Sequence, residues 1–295
     1  MNKSQLNFWK KNALLHVLSA LAENNEIREI LIFKGALILN RHLDTERMSL
    51  DIDSNLDIDF SLQLPERESQ KQFLEEHIPV AIERYFEKQD PVRYQLKNLR
   101  IDLSPPSDHP RGWDAFCVKV TLDDYENEGI RGLPALTIDV AAPEVLSDAS
   151  VQKMDWNSSS IRAYTLERIA GEKSRAFLST LPTYRSKMKK PGEAIRTKDL
   201  YDLARILKAV PIHDKGFWQI AGKEFRLACK SRFIDCHGID SFKESWGSTK
   251  EAFESDKIIP PDIRFEIIEN TLDEIISFWI EEGIIPFEFP LQDEK

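Results

Sequence analysis

Apolar residues repeat along the chain with two distinct periods. Leu6, Trp9, Ala13, Leu14, Val17, Leu18 and Leu21 recur at helical spacing, so residues 3–23 are predicted as an amphipathic helix of the mature protein rather than a signal segment. REILIF (28–33) is a short strand-like run, and 36–43 reads as a short helix after Lys34-Gly35. From 50 to 62 the period becomes two. Leu50, Ile52, Leu56, Ile58, Phe60 and Leu62 alternate with Asp51, Asp53, Asn55, Asp57, Asp59 and Ser61, which predicts one long strand bent near Ser54-Asn55. A helix over 66–88 and strands over 92–103, 115–122 and 135–141 follow. Beyond Pro143 the spacing is helical almost to the end, at 165–180, 198–209, 215–230 and 262–282. The expectation is an α+β chain: a mixed-sheet domain over 1–150, then an all-α domain over 151–295.

Composition narrows the class of protein. With 41% hydrophobic and 31% charged residues the chain is an ordinary globular protein, and no run approaches the ~18 apolar residues of a membrane span. Cys117, Cys229 and Cys236 fit no zinc pattern and no disulfide framework, which points to a reducing, cytoplasmic setting. The net charge of −10 argues against nonspecific nucleic-acid binding. Its distribution is uneven: residues 162–199 hold ten Lys/Arg against four Asp/Glu. That basic island reads as a solvated helix face or as a grip for phosphates.

The stretch RMSLDIDSNLDIDF (47–60) concentrates the candidate chemistry. Carboxylates at i and i+2 of a strand emerge on one face about 7 Å apart. At an effective dielectric near 20 they repel by about 2.5 kcal/mol, and a cation reverses that sign. Oxygen sites of this kind suit Mg²⁺ shared with substrate phosphates. The bland alternative is the acidic outer face of a solvated strand. Alternation does not separate Asp51/Asp53 from Asp57/Asp59. Upstream, ILIFKGA ends a strand at a glycine and begins a helix, an arrangement that turns backbone N–H groups toward a triphosphate.

The run FKGALILNRHLDTERMSLDID (33–53) resembles the signature of the abortive-infection (AbiEii/AbiGii) nucleotidyltransferase toxins, part of the DNA polymerase β-like nucleotidyltransferase superfamily. In that pattern, roughly F-K-G-G-T, a short helix, then R-x-S-x-D-I-D, the matching residues are Lys34, Gly35, Arg47, Ser49, Asp51 and Asp53. Ala36 stands where the family often has Gly or Ser. The resemblance selects Asp51/Asp53 as metal-binding carboxylates, with Asp57/Asp59 the alternative. It also implies a third carboxylate from a neighbouring strand, for which Asp139 in ALTIDVA and Asp102 in LRIDL are the candidates.

In the second half, Lys173 shares a helix stripe with Leu166, Ile169, Ala170 and Phe177, so its ammonium must snorkel outward or meet an anion. Thr197 can cap a following helix whose first turn holds Asp199. TLERIAGEKSRAF and TKDLYDL, in that order, again resemble the abortive-infection family. The family's catalytic Lys and Asp carry over to Lys173 and Asp199, with Tyr201 and Asp202 as support. By this resemblance the helical domain completes the active site. The implied activity is transfer of NMP from an NTP to an acceptor, with Mg²⁺ on Asp51 and Asp53, and with Lys34, Gly35, Arg47 and Ser49 near the nucleotide. The implied partners are a tRNA or other RNA acceptor, docked on 185–198, and a cognate antitoxin. The alternative is a non-catalytic nucleotide- or RNA-binding module on the same fold, with Ala36 as the mark of decay.

Overall fold

Asn2 opens the first helix. Its side chain accepts from the Gln5 N–H at 2.9 Å, and the Gln5 side chain accepts from the Asn2 N–H at 2.8 Å, a reciprocal cap. The computed structural model describes residues 2–45, 49–106, 114–127, 130, 132–186 and 194–290. The chain forms two compact units: Met1–Glu144 with Val151–Tyr164, and Val145–Ser150 with Thr165–Lys295.

In the first unit α1 (Lys3–Glu23) leads through α2 (Asn25–Ile30) into β1 (Leu31–Lys34), α3 (Gly35–Leu43) and β2 (Ile52–Leu56). Then come α4 (Ile58–Gln63), α5 (Arg67–Glu87), β3 (Tyr94–Ser104), β4 (Ala115–Asp124), β5 (Leu136–Ala141), β6 (Val151–Trp156) and β7 (Ser159–Tyr164). The seven strands make one mixed sheet, ordered β3-β4-β5-β2-β1-β7-β6. β2 runs parallel to β5 and β1 parallel to β7; the other pairs are antiparallel. Leu14, Val17, Leu18 and Leu21 of α1, Ile78 and Ile82 of α5, and Ile138 and Val140 of β5 are fully buried in this unit. Each such side chain contributes about 1.5–3 kcal/mol over its exposed state.

Two expectations are corrected here. The alternation over 50–62 is not one strand. β2 ends at Leu56, and the Asp57 side chain accepts from the Asp59 N–H at 2.8 Å, capping α4. Ser54 and Asn55, expected at a bend, are fully buried in this central strand. Second, residues 151–164 are not helical. β6 and β7 form a hairpin around Asn157, which takes a left-handed φ of 50°. The hairpin extends the sheet of the first unit, because β7 pairs with β1.

The second unit is helical: α6 (Leu166–Leu178), α7 (Pro182–Arg185), α8 (Thr197–Ala209), α9 (Lys215–Arg232), α10 (Ile239–Lys243), α11 (Trp246–Ser255) and α12 (Phe265–Glu281). Thr165 caps α6 by accepting from the Arg168 N–H. Thr197 lies inside α8 rather than capping it; Arg196 is the cap residue, and its side chain does not cap the helix's N–H groups. Aromatic rings fill the core, with Phe225 stacked on Trp279 at 4.9 Å. The buried Arg168 guanidinium is matched by Glu224 at 3.1 Å and Glu172 at 2.9 Å, as a buried charge requires. No helix among the described residues is long and apolar enough to cross a membrane.

Candidate active site

The register of the sheet gathers the polar residues of the site. Lys34 on β1 lies opposite Asp53 on β2, Asp53 opposite Asp139 on β5, Asp139 opposite Cys117 on β4, and Cys117 opposite Asp102 on β3. Residues opposite each other in a ladder project from the same face, so these five form one row across the sheet. Asp51 precedes β2 by one residue. Its carboxylate joins those of Asp53 and Asp139, one oxygen from each lying within 4.8 Å of the others.

Three carboxylates at that separation oppose one another by about 3.5 kcal/mol per pair at a dielectric near 20. The local structure nevertheless holds them in place. Asp53 and Asp139 are fixed by the β2–β5 ladder. Ser49, nearly buried, donates to Asp51 Oδ1 at 3.2 Å. Asp139 is exposed as a residue, but the shielding of its carboxyl by neighbouring atoms, and then the Asp51 charge, raise its pKa; the Cys117 thiol opposes the rise. An all-carboxylate donor set with this spacing fits a hard divalent ion such as Mg²⁺.

Gly35 explains itself at this point. Its φ is +75°, and a Cβ there would stand 2.0 Å from Asp53 Oδ2. Both the backbone conformation and the close approach of the carboxylate require glycine. Gly35 also begins α3, whose N-terminus has no side-chain cap bond. The dipole there favours the Asp53 carboxylate and, equally, a phosphate.

Lys34 directs its ammonium to Glu144 Oε1 at 3.4 Å and over the Tyr164 ring, 5.7 Å from the centroid. The Tyr164 hydroxyl donates to Glu144 Oε2 at 3.1 Å and accepts from Asn55 Nδ2 at 2.5 Å. This buried chain beside the carboxylates has no signature in the sequence, since a lone Glu after a strand and a Tyr at a strand end are unremarkable.

The rival carboxylates have other roles. Asp57 caps α4 and pairs with Arg162 at 2.7 Å, and Asp59 sits in the first turn of that helix. Asp102, three strands from Asp53, pairs with Arg100 at 2.8 Å and lies 3.8 Å from Lys119. Arg47 lies outside the described residues, as does half of the basic stretch 185–198.

Within the second unit Lys173 meets anions of its own chain. Its ammonium is 2.8 Å from Asp199 Oδ1 and 2.8 Å from Asp202 Oδ2, both buried. Burial alone would raise the Asp199 pKa, but the Lys173 and Arg196 charges overcome it and bring it down to about 2. Arg205 stands 3.7 Å from Asp202, and the Tyr201 hydroxyl donates to Asp262 at 3.0 Å. Asp202, read from the sequence only as support, is thus a direct partner of Lys173.

Residues 16–276 match the family model described as nucleotidyl transferase AbiEii toxin, type IV TA system. No curated protein matches the chain.

Proposed function

We propose a reaction from one premise: the chain belongs to the AbiEii family of nucleotidyl transferase toxins, of type IV toxin–antitoxin systems. In the proposed reaction an acceptor hydroxyl attacks the α-phosphorus of an NTP, the bond to the bridging oxygen breaks, and pyrophosphate leaves. Asp51, Asp53 and Asp139 would hold a divalent ion, with Mg²⁺ the natural choice for hard oxygen ligands. When bound, such an ion neutralises phosphate charge and activates an attacking oxygen. The clustering of these three carboxylates is the observation that carries the proposal.

The chain's own groups take the remaining roles. N–H groups at the start of α3 face the phosphates, with Gly35 leaving room for Asp53 against the backbone. Ser49 orients Asp51. Lys34 places a cation at the phosphate end of the site, and Arg47 adds a second by its place in the family pattern. Asp139, the exposed member of the triad, would take the proton of the acceptor hydroxyl. Lys173 would stabilise phosphate or departing pyrophosphate. Asp199, ionised and tied to Lys173, acts as its orienting partner rather than as a base. A tRNA end is the proposed acceptor, with 185–198 as its basic docking segment, and a cognate antitoxin counters the toxin in the cytoplasm.

The test is incorporation of label from each of the four NTPs into total small RNA with Mg²⁺, read on a gel. Wild type labels RNA with at least one NTP, and Asp53→Ala does not. Labelling that survives Asp53→Ala refutes the assignment; NTP binding without transfer by wild type shows a binding module instead.

A further inference from the structure

β1 lies between β2 and β7, so Lys34 has a choice of partners. On the β2 side its register partner is Asp53, with Cβ atoms about 5 Å apart in such a pair. On the β7 side is Tyr164, whose hydroxyl holds the carboxylate of Glu144, a residue just beyond the end of β5. The lysine turns to the second side, where its ammonium meets Glu144 and the Tyr164 ring. Yet Asp53 is one of three clustered carboxylates, which would attract a nearby ammonium strongly.

The buried chain resolves this competition. The Glu144 side chain is only 6% exposed, and its second oxygen accepts from the buried Tyr164 hydroxyl. A buried carboxylate demands a cation far more than one that faces water. Asn55 in turn holds the Tyr164 hydroxyl, although its own Oδ1 is buried without a hydrogen-bond partner. Leaving that oxygen unsatisfied is costly, which marks the chain as more than incidental packing.

We propose that Glu144 and Tyr164 are positioning residues that hold Lys34 off the metal carboxylates. An ammonium on Asp53 would cancel one of the three charges and occupy space meant for the ion. Held at Glu144, the lysine stays near the phosphate end and sets no charge of its own against the triad. The inference rests on the proposed divalent-ion reading of Asp51, Asp53 and Asp139.

Mn²⁺ binding to the full-length protein, measured by calorimetry without nucleotide, tests it. Glu144→Gln frees Lys34 to pair with Asp53, and Mn²⁺ affinity falls at least about tenfold, the effect of a unit charge about 5 Å from a divalent ion even at the dielectric of water. Removing the lysine as well, in Lys34→Met/Glu144→Gln, returns the affinity to within about twofold of wild type, a coupling that general damage to the fold would not produce. Tyr164→Phe weakens binding in the same direction by less, and it serves where Glu144→Gln does not fold. Wild-type affinity in a folded Glu144→Gln, or a double variant as weak as the single, overturns the proposal. Asp53→Asn separates the two levels. Weak binding there with Glu144→Gln unchanged refutes only the positioning role, whereas wild-type binding in Asp53→Asn refutes the metal reading beneath it.

Discussion

Alanine at Gly35 tests the site through a single added carbon. The first cost is conformational: φ is +75°, and an L-residue there loses about 1–2 kcal/mol. The second is steric. The new Cβ would lie 2.0 Å from Asp53 Oδ2, 2.7 Å from its Cγ and 2.9 Å from its Cβ. The last of these atoms sits on a strand locked to β1 and β5, so moving the tip of the side chain is not enough. Asp53 must leave its rotamer, and the triad loses a ligand. Gly35→Ala should therefore lower Mn²⁺ affinity by roughly 100-fold, the equivalent of about 2.7 kcal/mol. The melting temperature should fall by about 4–8 °C, on the scale of 2–4 °C per kcal/mol for a unit of this size. Gly132→Ala is the internal control. Its φ is +82°, but nothing lies within 4 Å of the added carbon. It should melt only a few degrees low, about what the backbone penalty alone predicts, with Mn²⁺ binding intact. If Gly35→Ala binds Mn²⁺ like wild type and melts like Gly132→Ala, the close approach of Asp53 to this glycine has no functional meaning.

Two further substitutions probe the rival acid pair and the second unit. Asp57→Ala removes the α4 cap and the Arg162 partner, so urea unfolding should show a loss of about 1–2 kcal/mol with Mn²⁺ binding and RNA labelling retained; an inactive but folded variant would move the catalytic role to Asp57. Asp199 has a pKa of about 2 when folded, against about 3.9 unfolded, so its ionisation stabilises the fold above pH 4 and that contribution is lost as pH falls from about 4 to about 2. The amount at stake is about 2 kcal/mol, and urea midpoints at pH 5 and pH 3 should drop less in Asp199→Asn than in wild type; equal drops would show that its ion pair with Lys173 contributes nothing to acid sensitivity.

What the sequence made legible, and what it hid, divides along a physical line. Alternation nominated two acid pairs, and the family resemblance chose Asp51 and Asp53; the spacing from Gly35 that carries it reflects a local constraint, a strand, a turn that only glycine permits, and a second strand returning beside the first. Lys173 could be singled out because a helix fixes which residues share its stripe, and the ammonium there does meet anions. Periodicity misled at Asp57, where the two-residue alternation runs on across a capped helix start; a carboxylate with free N–H groups just ahead of it was the better signal. Over 151–164 periodicity gave no element, because β6 is an edge strand half open to water and the turn rests on Asn157 rather than glycine. The Glu144–Tyr164–Asn55 chain was beyond local reading altogether. Its bonds join residues 20 and 109 positions apart, and they exist because β1 is inserted between β2 and β7. Spacing along a chain can nominate charged groups, but which of two carboxylates a lysine neutralises depends on strand order and on burial. For Lys34 that choice decides whether its own charge is set against the ion's.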